Sequence, residues 1–306
     1  LKANLAPLQA EIQSATPRLH LRVEYLNEAF EAAYPKIKPL LEQGRYRSVL
    51  FNLDQCGHSH VERSTLLDIM RSYSSVEIFY TFAIEALLSF LKKADPIKLA
   101  DQLRPFGRQL ADLGALEGAM SKNTWLGAAE RLVFDTFKPC APYVSPFSIN
   151  NPGGWRYWLI HFANVVRARQ VYNNVLHDNA TAQAHFGRSG LNMLSYDPRH
   201  EDGALYLFDL SGREGARTQL LTDIPRLISE AGDVIRVGEF YEGIYNATPA
   251  HTDDVHQAMI DNPDVQVITP IGGERRSAKA IEANDVLKLR EQKSFFPMFF
   301  DAAKKT

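Results

Sequence analysis

With 306 residues, 45% of them hydrophobic and 23% charged, the chain can bury a real core, as two domains or as one large domain with an appendage. Its formal charge of −2 would hide any local basic patch, and no apolar run approaches the ~20 residues that cross a bilayer; the longest, Ser75 to Leu91, is broken by Glu77 and Glu85. Two unrelated cysteines, Cys56 and Cys140, exclude a disulfide framework and a Cys-x-x-Cys zinc set, and point to a reducing, cytoplasmic compartment.

The sequence opens on Leu1, with no signal-peptide pattern behind it, and is expected to be a fragment or to lack its true start. Leu5 to Ser14 has helical spacing, and Leu19 to Val23 alternates as a strand does. Ala29 to Gln43 is helical too, with Pro35 and Pro39 predicting a break or two short helices. Ser48 to Leu53 is a compact apolar run ending in Asp54, the pattern of a strand buried on both faces of a parallel sheet. Val61 to Tyr73 reads as a helix, Val76 to Phe82 as a second buried strand and Ile84 to Lys93 as a helix. This alternation predicts a doubly wound α/β sheet.

Asp95 to Lys138 turns helical, and Pro139 to Gly154 is rich in Pro, Asn and Gly, as loops are; about 95–150 is expected to be an insertion. Trp155 to Phe162 resumes as strand, Ala163 to Asp178 as helix, Leu205 to Leu210 as strand, and Gln219 to Ala231 as a helix closed by Gly232. Ile235 to Asn246 is amphipathic, and Thr248 to Ile260 is a helix with Thr252 or Asp253 near its start. Val265 to Ile271 and Ser277 to Leu287 flank a turn, Gly272 to Arg276, whose tip carries arginines. Helices followed by such a hairpin predict a winged helix-turn-helix over 233–306, after a larger domain over 1–232.

Chemistry is expected where open α/β sheets bind ligands, beyond the carboxyl ends of strands. Asp54 and Gln55 stand there, with Cys56, Gly57 and His58 behind them; the plain alternative is that Asp54 caps the next helix and Gly57 permits the turn. A lone Cys56 without signs of thiol activation reads as packing, and His58 with His60 lack the carboxylate or cysteine that would complete a metal site. His161, Asn164, Arg167 and Arg169 read as a solvated helix face. His185 to Gly190 is a glycine-bearing loop with a cation, but lacks the Lys-Ser/Thr of a phosphate loop. Arg275, Arg276 and Lys279 could grip phosphates, although Asp253 and Asp254 on the presumed recognition helix would repel them.

In this order the segments Val49 to Gly57, Val76 to Leu91, Trp158 to Val171, His185 to Pro198 and Gly272 to Asp285 resemble the three-Cys-motif partner protein family (TcmP). Members look like class I S-adenosylmethionine-dependent methyltransferases, many with a C-terminal winged helix. The resemblance implies a Rossmann-like methyltransferase-type sheet in which Asp54 ends the fourth strand and, with Gln55, orients the methyl acceptor. Asn27 and Glu28 would follow the third strand and meet the adenine of S-adenosylmethionine; Arg275, Arg276 and Lys279 would hold nucleic acid. A neighbouring radical-type protein bearing the three cysteines is the implied partner, in a bacterial defence-type operon. No Gly-x-Gly loop after a first strand lies before Leu19, so the alternative expectation is a catalytically inactive binding subunit.

Overall fold

The computed structural model describes residues 2–19, 21–54, 61–84, 86–87, 133–150, 156–178, 183–186, 205–207 and 210–291. They form a mixed α/β protein whose contacts fall into two units, Leu1–Tyr46 and Arg47–Thr306. Among the described residues no helix is long and apolar enough to cross a membrane.

The first unit holds helices α1 (Lys2–Ala15) and α2 (Phe30–Gly44). Residues 21–27 carry no strand, although Leu19 to Val23 alternates as one would; among the described residues no strand pairs with this segment. Asn27 and Glu28 therefore do not follow a strand. The expected break in α2 is also absent. Pro35 and Pro39 lie four residues apart on its exposed side, where water can serve the carbonyls that lose an amide partner.

The second unit is built on a six-stranded sheet. Its strands are β1 (Val49–Asp54), β2 (Val76–Phe82), β3 (Tyr143–Asn150), β4 (Arg156–Ala163), β5 (Gln183–Phe186) and β6 (Leu205–Leu207), ordered β1-β2-β4-β3-β5-β6. Only β1 and β2 run parallel; every later described pair is antiparallel, so the sheet is mixed and not the all-parallel one that the alternation of elements predicts.

Strand alternation sorts the side chains into two faces. Phe51 and Leu53 register with Ile78 and Tyr80, and these with Phe162 and Ile160, on one buried face. Helix α3 (Arg63–Ser72) buries Leu66, Ile69 and Met70. Phe137 sets its ring edge-on to Tyr80, Phe82 and Phe162 at 5.4–6.1 Å, a favourable aromatic geometry. The other face carries Leu50, Asn52 and Asp54 of β1, Glu77 and Phe79 of β2, and Leu159 and His161 of β4. Helix α4 (Val166–Asp178) covers part of it.

Two sequence expectations change here. β1 lies at the end of the described sheet, and its burial alternates, so it is neither central nor buried on both faces. The predicted loop from Pro139 contains β3 instead. Among the described residues β5 registers with β3 at Ser148 and Ile149 and not at Pro146, where a missing amide donor would cost a ladder bond. The predicted helices from Ile84 to Lys138 fall almost wholly outside the described residues, as do Gln55 to His60 and 187–204. His185 lies in β5 rather than in a loop.

The C-terminal module runs α5 (Leu210–Glu230), β7 (Val234–Arg236), α6 (Val237–Ile244), α7 (Thr252–Asp261), β8 (Val265–Ile268) and β9 (Val286–Leu289). Its strands form a separate antiparallel sheet, β7-β9-β8. α5 starts nine residues before the predicted Gln219 and ends as Gly232 predicts. At φ +90°, Gly232 donates to Ser229 O, and Asp233 donates to Ile228 O at 3.0 Å, closing the helix with its own last carbonyls. The boundary expected at 232/233 crosses a continuous apolar cluster: Leu220, Ile224 and Ile228 pack with Phe240, Met259 and Leu287, and also with Tyr143 and Ala163 of the large sheet.

Candidate functional site

Helix α4 follows β4 directly, so its buried side is fixed by the sheet beneath it. Arg169, Asn173 and His177 recur every four residues and therefore share one face. That face is buried, contrary to the solvated surface expected for Arg169, and it grips the α6–α7 turn. Arg169 Nε donates to Tyr245 O at 2.9 Å and Nη2 to Thr248 O at 3.0 Å. Asn173 Nδ2 donates to Thr248 O and Ala250 O, and His177 Nε2 lies 3.1 Å from Pro249 O. On the neighbouring face, Asn174 Oδ1 accepts from Thr252 N at 2.9 Å, the first amide of α7. From the sheet, Val144 N donates to Asn246 Oδ1.

Arg169 makes no ion pair among the described residues, and its Nη1 is buried without a hydrogen-bond partner there. Burial drags its pKa down to about 10, so it stays protonated at neutral pH. The carbonyls at the C-terminal end of α6, where helix dipoles leave partial negative charge, and the Tyr172 ring 5.7 Å away supply what stabilisation there is.

The other side of α7 is held by charge. Asp254 is buried and receives Arg213 Nε at 2.6 Å and Arg217 Nε at 2.8 Å, both from α5. Burial opposes its ionisation, but the two guanidiniums win and its pKa is lowered. The cap of α7 is neither Thr252 nor Asp253 but His251, whose Nδ1 accepts from Asp253 N at 3.1 Å. His251 and His177 meet edge-on at 5.5 Å. Burial lowers both pKa values, that of His177 to about 4.

Asp54 is exposed at the end of β1, and Gln55 lies outside the described residues. Glu28 is engaged by Lys36 Nζ at 2.6 Å within the first unit, where Asn27 is exposed. Arg275 is not at a hairpin tip. Its amide donates to Val267 O, and its guanidinium makes a two-point pair with the buried carboxylate of Asp285, at 2.9 and 3.0 Å. The turn is formed by Thr269 to Gly273 and projects Ile271 instead. Arg276 and Lys279 are exposed and make no ion pair among the described residues. No group of His, Cys, Asp and Glu there could hold a metal ion, and the buried Cys140 has its thiol pKa raised by burial.

The residues that do converge went unread in the sequence, although a signal exists. In Val166 to Asp178 the polar repeat Arg169, Asn173 and His177 runs directly beside the apolar repeat Ala168, Tyr172 and Leu176, so it borders the core stripe instead of lying opposite it as a solvated face would. No family model, curated protein or solved structure matches the chain.

Replacing Arg169 by Met keeps the volume but leaves the Tyr245 carbonyl unpaired. Chemical denaturation is expected to show a loss on the order of 2–3 kcal/mol. The histidines give a pH dependence whose sign is fixed: the unfolded ring takes up its proton near pH 6.5, the folded His177 ring only near 4. Stability is thus full above about pH 6.5 and drains as pH falls toward about 4, by on the order of 2 kcal/mol. His177→Gln should flatten that part of the profile of thermal midpoint against pH.

Proposed function

We propose that the chain is a non-catalytic protein-binding subunit, built on a methyltransferase-like scaffold with a C-terminal winged helix. The scaffold reading is supported by the strand order. A parallel pair is continued by an antiparallel strand, β4, that is inserted before its chain predecessor β3. That is the order expected of the second half of a class I methyltransferase sheet. The winged-helix reading is supported by the succession helix, strand, two helices and two strands, with the first strand pairing the last.

The observation that carries the binding function is the state of α7, the helix such a module would lay in a DNA groove. Its N-terminal turn, where base-reading residues would sit, is occupied by α4. Its solvent side presents Asp253, Gln257 and Asp261, with Gln257 bonded to Asp261 at 2.8 Å. Two carboxylates on that surface repel phosphate and suit a partner protein with a basic patch. The resemblance to the three-Cys-motif partner family points to the radical-type protein as that partner.

Methyl transfer is the second reading, favoured by Asp54 standing exposed at the carboxyl end of β1 beside the parallel strand β2. There Asp54 would orient a methyl acceptor held close to the sulfonium of S-adenosylmethionine.

Co-purification with a three-Cys-motif radical-type protein separates the readings. Asp253→Lys with Asp261→Lys is expected to weaken the complex by about tenfold or more, while Arg276→Ala with Lys279→Ala leaves it intact. Retention of duplex DNA that falls steeply with salt and depends on Arg276 and Lys279 would contradict the proposal. Calorimetric titration with S-adenosylmethionine is expected to give no saturable heat; saturable binding would transfer support to the second reading.

A further inference from the structure

Between α4 and the uncovered part of the sheet lies a groove of about 470 Å³. It is independent of the α7 surface and of Asp54. Phe79, Leu159 and Tyr172 belong to its walls, and Leu50 and Val175, 60% and 48% exposed, are among its open lining. A volume of this size lies in the range of small-molecule sites, which are apolar with a few placed polar groups. Here Glu77 is the one carboxylate among the lining residues, and Asn52 supplies an amide.

The position of Glu77 is not accidental packing. His161, fully buried, is stacked on Tyr172 at 4.3 Å and on Phe79 at 5.1 Å, and its Nε2 lies 3.0 Å from Glu77 Oε2. An ionised carboxylate only accepts, so Nε2 carries the proton and donates it. The hydrogen bond from His161 lowers the pKa of Glu77, and burial lowers that of His161, which leaves the ring neutral. The pair thus keeps a net negative charge at the wall of an apolar groove. The Glu77 carboxylate makes no other ion pair and no other hydrogen bond among the described residues.

We propose that this groove binds a small aromatic or aliphatic molecule carrying one protonated nitrogen, with its apolar body along Phe79, Tyr172 and Val175 and its cation on the free oxygen of Glu77. A neutral ligand would leave the carboxylate partly desolvated and unanswered, and an anion would meet it directly. A cationic nitrogen gives a charge-assisted hydrogen bond while the ring excludes water from it. His161 acts as a positioning residue, fixing one oxygen so that the other faces the groove.

The test uses the full chain and three matched probes: 2-naphthylmethylamine, 2-naphthylmethanol and 2-naphthoate. Fluorescence or calorimetric titration at neutral pH is expected to show saturable binding of the amine, roughly tenfold tighter than the alcohol, with the carboxylate weakest. Glu77→Gln should reduce the amine-to-alcohol ratio to near one. Val175→Trp, at a half-exposed position on α4, should fill the groove and abolish binding of both while circular dichroism and thermal midpoint stay those of the parent. No saturable binding of the amine, equal affinity for amine and alcohol, a preference that survives Glu77→Gln, or binding unchanged by Val175→Trp would each overturn the proposal.

Discussion

A guanidinium sits in the interior of this protein with no carboxylate paired to it among the described residues. Arg169 is wholly buried and protonated, and its hydrogen bonds run to the carbonyls of Tyr245 and Thr248. Removing such an ion from water costs several kcal/mol before any contact is made. It is tolerated because the carbonyl of Tyr245, which caps α6 where the helix dipole leaves partial negative charge, and that of Thr248 in the α6–α7 turn both accept from it. The residue is therefore a lock between two pieces of chain more than seventy residues apart, and it holds only if α4 and the α6–α7 turn keep their places.

The rest of the C-terminal geometry follows from that lock. Asn173 and His177 extend the contact along the same helical face, and Asn174 takes the first amide of α7. α7 is then closed between α4 on one side and the Arg213 and Arg217 pair with Asp254 on the other. A helix pinned in this way presents only its outer side, where Asp253 and Asp261 stand. Meanwhile α4 lines the groove with Val171, Tyr172 and Val175, so one helix both fastens the module and forms a wall of the groove.

Much of the fold was legible because strand alternation and helix caps are local. Val76 to Phe82 shows its two faces in sequence, and Gly232 marks the end of α5. β1 misled because Val, Leu, Phe and Leu are all apolar, although Asn52 and Asp54 already marked its open face. Leu19 to Val23 alternates equally well, yet alternation makes a strand only where a neighbour offers hydrogen bonds. β3 was hidden by Pro146 and its Asn-rich surroundings, because a proline reads as a strand breaker unless its position in the ladder is known. The polar clasp was the least visible, since buried and solvated arginines look alike until the carbonyls facing them are known. For the same reason Arg275 read as a phosphate grip, while the structure gives it to Asp285.

The central claim is that the clasp makes the C-terminal module and the large sheet one cooperative body. Hydrogen exchange resolved to peptides, followed under increasing denaturant, measures this directly. Amides of α6, α7 and β4 should open together with a common free energy and a common denaturant slope. Opening of α6 and α7 at lower free energy, with β4 still protected, would contradict the account.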